Sequence, residues 1–162
     1  MNTSELLAEH LDRIRRWTVS LLEDLSEEDW LWPPGPNLGQ IAWQVGHIAV
    51  AEHGLILVRC AQQPVLEESF LSLFRPGSTP SSGAEGYPSI AELRDKMDSI
   101  HQRALQIVRQ LDDSDLQTEP AGKPHPMFTT KTGAIQMAAS HEAFHAGQIA
   151  LIRRLRGKPA LR

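Results

Sequence analysis

The chain has 162 residues, 41% hydrophobic and 22% charged, which fits one ordinary globular domain over 1–162 and excludes a disordered or fibrous chain. Its 16 Lys and Arg against 20 Asp and Glu give a formal net charge of −4, so no positive field recruits nucleic acid or an anionic membrane. Acids and a His between Met1 and Leu11, the lack of an apolar run of about 18 residues and the single Cys60 lead us to expect a cytoplasmic protein without signal peptide, membrane span or internal disulfide.

Apolar positions Leu6, Leu7, Leu11, Ile14, Trp17, Val19, Leu21 and Leu22 recur at helical spacing and predict a first helix over Ser4–Leu25. Ser26–Trp32 adds a short turn before Pro33-Pro34-Gly35-Pro36 breaks the chain, and Asn37 is the expected N-cap of the next helix. Helix two, about Leu38–Val58, is apolar on most sides and belongs in the interior. The stretch from Arg59 to Pro88 is rich in Pro, Gly and Ser and too long for a tight helical hairpin, so it reads as a crossover or a flap. Ser89 with Glu92 forms a capping box that opens helix three, carried by Ile90, Leu93, Met97, Ile100, Ala104, Ile107, Val108 and Leu111. A polar connection over Asp112–Thr130, with a single turn at Ser114–Leu116, leads to helix four at Lys131–Leu155, which stops at Gly157-Lys158-Pro159. Arg153, Arg154, Arg156, Lys158 and Arg162 gather at that helix's C-terminus, where the macrodipole favours cations. No segment alternates as a strand would, so the predicted class is all-α: a four-helix bundle with a long crossover between helices two and three.

In helix four the expected core stripe runs through Ala134, Met137, Ala138, His141, Phe144, His145, Gln148, Ile149, Ile152 and Leu155. Polar residues on such a stripe need partners, because a buried unpaired one costs about 1 to 3 kcal/mol. Side chains four apart on a helix are neighbours, so His141 and His145 can aim ring nitrogens at one ion, and His47, in the middle of the most apolar helix, supplies a third. Three neutral imidazoles leave coordination positions open, as in a catalytic site. Zn²⁺ and Ni²⁺ suit imidazole, and ligand type alone leaves Fe²⁺ and Mn²⁺ open. Glu142, beside His141, is a candidate base for a metal-bound water, and Gln148, one turn beyond His145, a candidate hydrogen-bonding partner for a bound molecule. Glu52 is a candidate to orient a ligand, while His10, His101 and His125 carry no such expectation.

His141-Glu142-Ala143-Phe144-His145 matches H-E-x-x-H literally. The extended protease form fails, since Gln148 and Leu151 stand at its last two fixed positions, and Ala146–Arg162 offers no downstream Asp, Glu or His. The same segment, continued as Ala146-Gly147-Gln148, instead resembles the H-x-x-x-H-x-G-Q signature of the DinB and YfiT-like family, and Gly46-His47-Ile48 in a Trp-containing helix is similar to that family's first ligand region. The resemblance covers almost the whole chain. It implies a four-helix bundle, a His triad binding nickel, zinc or a similar metal, frequent homodimers, and members that are transferases using a low-molecular-weight thiol. The iron-dependent ergothioneine branch carries Glu two residues after the last His, where this chain has Gly147. The expected function is thus S-transfer to a small molecule from a thiol cosubstrate. The alternatives are hydrolysis by metal-bound water with Glu142 as base, and a non-catalytic metal or ligand-binding bundle.

Overall fold

Asn2 caps the first helix by accepting the Glu5 N–H at 2.8 Å, and α1 (Thr3–Ser20) follows. In the computed structural model, which describes residues 2–81 and 85–161, this helix ends earlier than the apolar pattern suggested: residues 21–24 are turns, with Leu21 and Leu22 buried beneath them. The short turn predicted after it is α2 (Glu27–Leu31), closed by a reciprocal capping box between Ser26 and Asp29. Asn37 does not cap the next helix. It sits in the left-handed region at φ 58°, a conformation Asn tolerates in turns, and Gln40 is the residue in extended conformation that starts α3.

Helix α3 (Ile41–Glu52) runs into a π-helical turn (His53–Val58) and a last α-helical turn, α4 (Arg59–Ala61). Ile41–Ala61 is the one described helix long and apolar enough to cross a membrane, and most of its most apolar window is buried inside the protein. The Pro-rich connection predicted as a crossover or flap holds a helix, α5 (Glu68–Phe74), whose Phe70 and Phe74 face the core; its residues 82–84 lie outside the described residues. α6 (Ile90–Gln110) starts at the capping box of Ser89 and Glu92, α7 (Asp113–Leu116) is a capped single turn, and α8 (Lys131–Leu155) is capped by Thr130 and stops before Gly157 at φ 76°.

The fold is all-helical, with no strand among the described residues and one isolated bridge between His125 and Phe128. Helix α3 packs against α6 and α8, and α1 packs against the same two helices from the other side of the chain order. Their shared interior holds Leu11, Ile48, Leu57, Leu93, Ala138 and Ile149. The stripe expected on α8 needs correction at two places. Phe144 is 65% and Leu155 57% exposed, whereas Glu142 is 4% and Arg153 1% exposed. Charge pairing explains the exchange: Arg153 reaches Asp24 and the Leu21 carbonyl, and Glu142 reaches Arg15, so both polar side chains enter the core with partners.

Candidate metal centre

His47 on α3 and His141 and His145 on α8 meet where those helices pack. The Nε2 atom of His141 lies 3.2 Å from Nε2 of His47 and 3.2 Å from Nε2 of His145, and the ligand atoms of all three residues fall within 4.8 Å of one another. Two nitrogens each about 2.0 to 2.1 Å from one tetrahedral ion would stand about 3.3 Å apart, so the spacing fits an ion held between them.

The outer ring nitrogens fix which atoms face inward. His47 Nδ1 donates to the Phe74 carbonyl at 2.6 Å, and a carbonyl can only accept, so neutral His47 presents a bare Nε2. His145 Nδ1 donates to Gln44 Oε1. The Gln44 amide is oriented independently, because its Nε2 donates to the Gly39 carbonyl at 3.2 Å. The lone pairs of His47 and His145 therefore converge on the Nε2 of His141, with no carboxylate in the group. Outer hydrogen bonds that orient ligating imidazoles in this way are the usual support of a metal site.

Burial is the first cause that lowers the pKa of each ring. It acts alone on His47 against an opposing hydrogen bond from Phe74, while repulsion from neighbouring imidazoles adds to it at His141, brought to about 4, and at His145, brought to about 3. At neutral pH all three are unprotonated, the form in which imidazole binds metal. Trp43 stacks on the His47 ring at 4.6 Å between centroids and meets His145 edge-on, which restricts both rings further.

Gly46 makes the approach of α5 feasible. A Cβ built there would stand 2.4 Å from the Phe74 ring, so only glycine lets Phe74 come close enough for its carbonyl to hold His47. Neither Gln44 nor the Phe74 carbonyl was anticipated from sequence. Gln44 carried a signal, an amide on a helix that is otherwise apolar; a backbone carbonyl on a short helix within a Pro-rich connection carried none.

The other candidate residues divide. Gln148 is half-buried and within hydrogen-bonding reach of His145. Glu142 turns to Arg15 instead: Arg15 Nε donates to one carboxylate oxygen at 2.8 Å and Nη2 to the other at 2.9 Å. Arg15 also donates to Glu52 at 2.8 Å and to the Met97 carbonyl at 2.7 Å, and Glu52 accepts from His101 Nδ1 at 2.8 Å. Glu52 thus orients no ligand of the triad, and His101 lies in the core. Buried His53 accepts the backbone N–H of Val65 at 2.9 Å and of Leu66 at 3.3 Å through its Nε2. Burial pushes the Cys60 thiol up to about 11, so it supplies no thiolate near neutral pH.

The sequence profile of the DinB superfamily matches residues 10–149, a span that contains all three histidines. Among solved structures, a conserved protein from Enterococcus faecalis has the same fold, with a TM-score of 0.78 and 20% identity over 98% of this chain and 99% of that one. Comparison with curated proteins gives no match. By the span of the profile match, the chain belongs to the DinB superfamily.

Proposed function

We propose that this protein is a divalent-metal-dependent S-transferase that activates a low-molecular-weight thiol at His47, His141 and His145, on a four-helix bundle formed by α1, α3, α6 and α8 with α5 in its long crossover. The observation that carries the reading is the convergence of unprotonated ring nitrogens, 3.2 Å apart and without a counter-charge, at the edge of a cavity of about 760 Å³ bordered by His141. A Zn²⁺ or Ni²⁺ held by His47, His141 and His145 would lower the pKa of a coordinated thiol and so supply a nucleophile at neutral pH.

The protein's own groups do the rest. Gln44, the Phe74 carbonyl and Trp43 hold the rings, and Gln148 offers an amide to a molecule at the triad. In the transfer the thiol proton passes to solvent, a C–S bond forms at the electrophilic carbon, and the bond to its leaving group breaks with the electron pair going to that group. One observation favours thiol transfer over hydrolysis, and a second points to a thiol from outside the chain. The carboxylate next to the triad, Glu142, is occupied by Arg15 on both oxygens, which leaves no free base there for a water. Cys60 cannot serve as an internal nucleophile, so the sulfur comes from a cosubstrate.

Elemental mass spectrometry of untagged protein tests the reading first. About one Ni, Zn, Fe or Mn per chain is expected, lost in His47→Ala and His145→Ala, together with consumption of a free thiol when an alkyl halide is added to the loaded protein. Protein that stays metal-free after incubation with these ions, or loaded protein that hydrolyses esters and consumes no thiol, overturns it.

A further inference from the structure

The cavity beside the triad has a composition that the triad does not explain. Its walls are apolar side chains, among them Val50, Leu55, Val58, Leu71 and Met137. The ionisable side chains lining it are His53, Arg59, His125 and His141; no Asp or Glu is among its lining residues. His53 is committed through Nε2 to two backbone N–H groups, and His141 belongs to the triad. Arg59 is therefore the permanent charge on the wall.

Arg59 is held as a binding group would be. Its Nη1 donates to the Ala121 carbonyl at 3.3 Å and the Lys123 carbonyl at 2.9 Å, and its guanidinium packs over the Phe128 ring at 5.5 Å. Those contacts fix one side of the fork, and no carboxylate pairs with it among the described residues. A guanidinium anchored at one nitrogen, with its remaining N–H groups uncommitted, suits a carboxylate or similar planar anion.

The wall between Arg59 and the triad is the π-helical turn, four of whose residues, His53, Gly54, Leu55 and Val58, line the cavity. π turns are rare and gather at functional sites because the extra residue widens the helix at a cost in hydrogen-bond geometry. Gly54 lies on this turn, and a Cβ built on it meets nothing within 4 Å. Glycine at an interior helical position with empty space above it costs stability relative to alanine, about 0.5 to 1 kcal/mol, so it leaves room that the fold itself does not need.

We propose that this cavity binds an apolar small molecule carrying one anionic group, with the anion on Arg59 and the apolar body along the π turn, so that its far end reaches the triad. The volume of about 760 Å³ lies within the range of small-molecule sites. The inference rests on the reading above in taking this molecule as the electrophilic partner of the thiol; the occupancy of the cavity itself does not depend on a metal.

Decanoate serves as the probe, with decylammonium as its cationic counterpart, titrated calorimetrically into both EDTA-treated and Zn²⁺-loaded protein. Decanoate binding to both forms is expected, with decylammonium at least about 10-fold weaker, and with Gly54→Leu and Arg59→Gln each weakening decanoate by about 10-fold or more. Gly54→Leu should fold, since nothing stands where its side chain begins, and an unfolding midpoint no lower than that of the parent checks it. Equal binding of the two probes, parental decanoate binding in folded Gly54→Leu, or no binding at all overturns the proposal. Decanoate that binds the Zn²⁺-loaded form alone and ignores Arg59→Gln also overturns it, because the anion then sits at the triad while the metal reading stands. A triad that takes up no metal, with decanoate still bound through Arg59, removes the S-transferase and keeps the cavity.

Discussion

His141 and Glu142 are neighbours in the chain and belong to two buried clusters that are completed in different ways. Glu142 enters a cluster of opposite charges: Arg15 lies between Glu142 and Glu52, and His101 Nδ1 hydrogen-bonds the other oxygen of Glu52. Burial raises the Glu52 pKa, but the Arg15 charge and then the His101 hydrogen bond outweigh it and hold the carboxyl below its usual range. His141 enters a cluster of like groups, three imidazoles whose inward nitrogens have only one another. The first cluster pairs Arg15 with both carboxylates within the protein and ties α1, α3, α6 and α8 together through one guanidinium. The second holds no counter-charge, and its spacing suits a cation. Polar groups brought into the interior thus end in two ways, as a paired network that stabilises the fold or as converging lone pairs that suit a cation, and the distinction lies in whether the groups find partners among themselves.

The largest effect that tests this contrast is on the closed cluster. Arg15→Met leaves Glu52 and Glu142 buried without their cation and should cost about 3 to 5 kcal/mol in urea unfolding, the usual loss when one partner of a buried pair is removed. The change acts on stability first, and on the metal only through the fold. A loss below about 1 kcal/mol would mean that the cluster behaves as a solvated surface pair, and the contrast would go.

What sequence could reach follows from how local each interaction is. The start of α6 at Ser89 and the start and stop of α8 at Thr130 and Gly157 were legible because caps are made within four residues. The triad was legible because His141 and His145 share a helix face and His47 interrupts an apolar helix. The orientation of Glu142 was not, since its partner Arg15 is 127 residues away and reads as one polar position in an amphipathic pattern. The same distance effect put Phe144 on the expected core stripe and left Arg153 off it. Helix α5 was hidden by the Pro and Gly that follow it, and with it the carbonyl that sets the His47 tautomer. The apolar positions fixed which helices form; pairings between distant polar residues fixed how α8 is rotated.

A smaller effect sharpens the open cluster. Gln44→Leu removes the acceptor of His145 Nδ1 while keeping an apolar side chain of similar length on α3. Metal affinity should fall about 10- to 100-fold, as for other outer partners of ligating histidines, measured by competition with a chromophoric chelator. Unchanged affinity would show that the ring is held by packing against Trp43 alone.

A last test separates the two clusters by pH, in protein stripped of metal. In the unfolded chain each imidazole of the triad titrates near 6.5. In the fold burial, aided at His141 and His145 by mutual repulsion, holds them lower, to about 4 for His141 and about 3 for His145. As pH falls below about 6.5, the unfolded chain takes up protons that the folded chain refuses, so the stability the neutral triad provides is full above that pH and is lost on the way down. Glu52 acts in a lower window. Its carboxyl is held below the ordinary value of about 4.5, so its contribution is present above that pH and is lost as pH falls further. Water reaches half-buried His141, which keeps the upper slope shallow. Urea midpoints followed from about pH 7.5 to about pH 4.5 should decline in the parent protein, and should be flatter in His141→Ala/His145→Ala, which lacks two of the titrating rings. A parent protein that is flat across this window would mean that the rings accept protons as readily folded as unfolded, and a cluster that accepts protons freely would not be waiting for a metal ion.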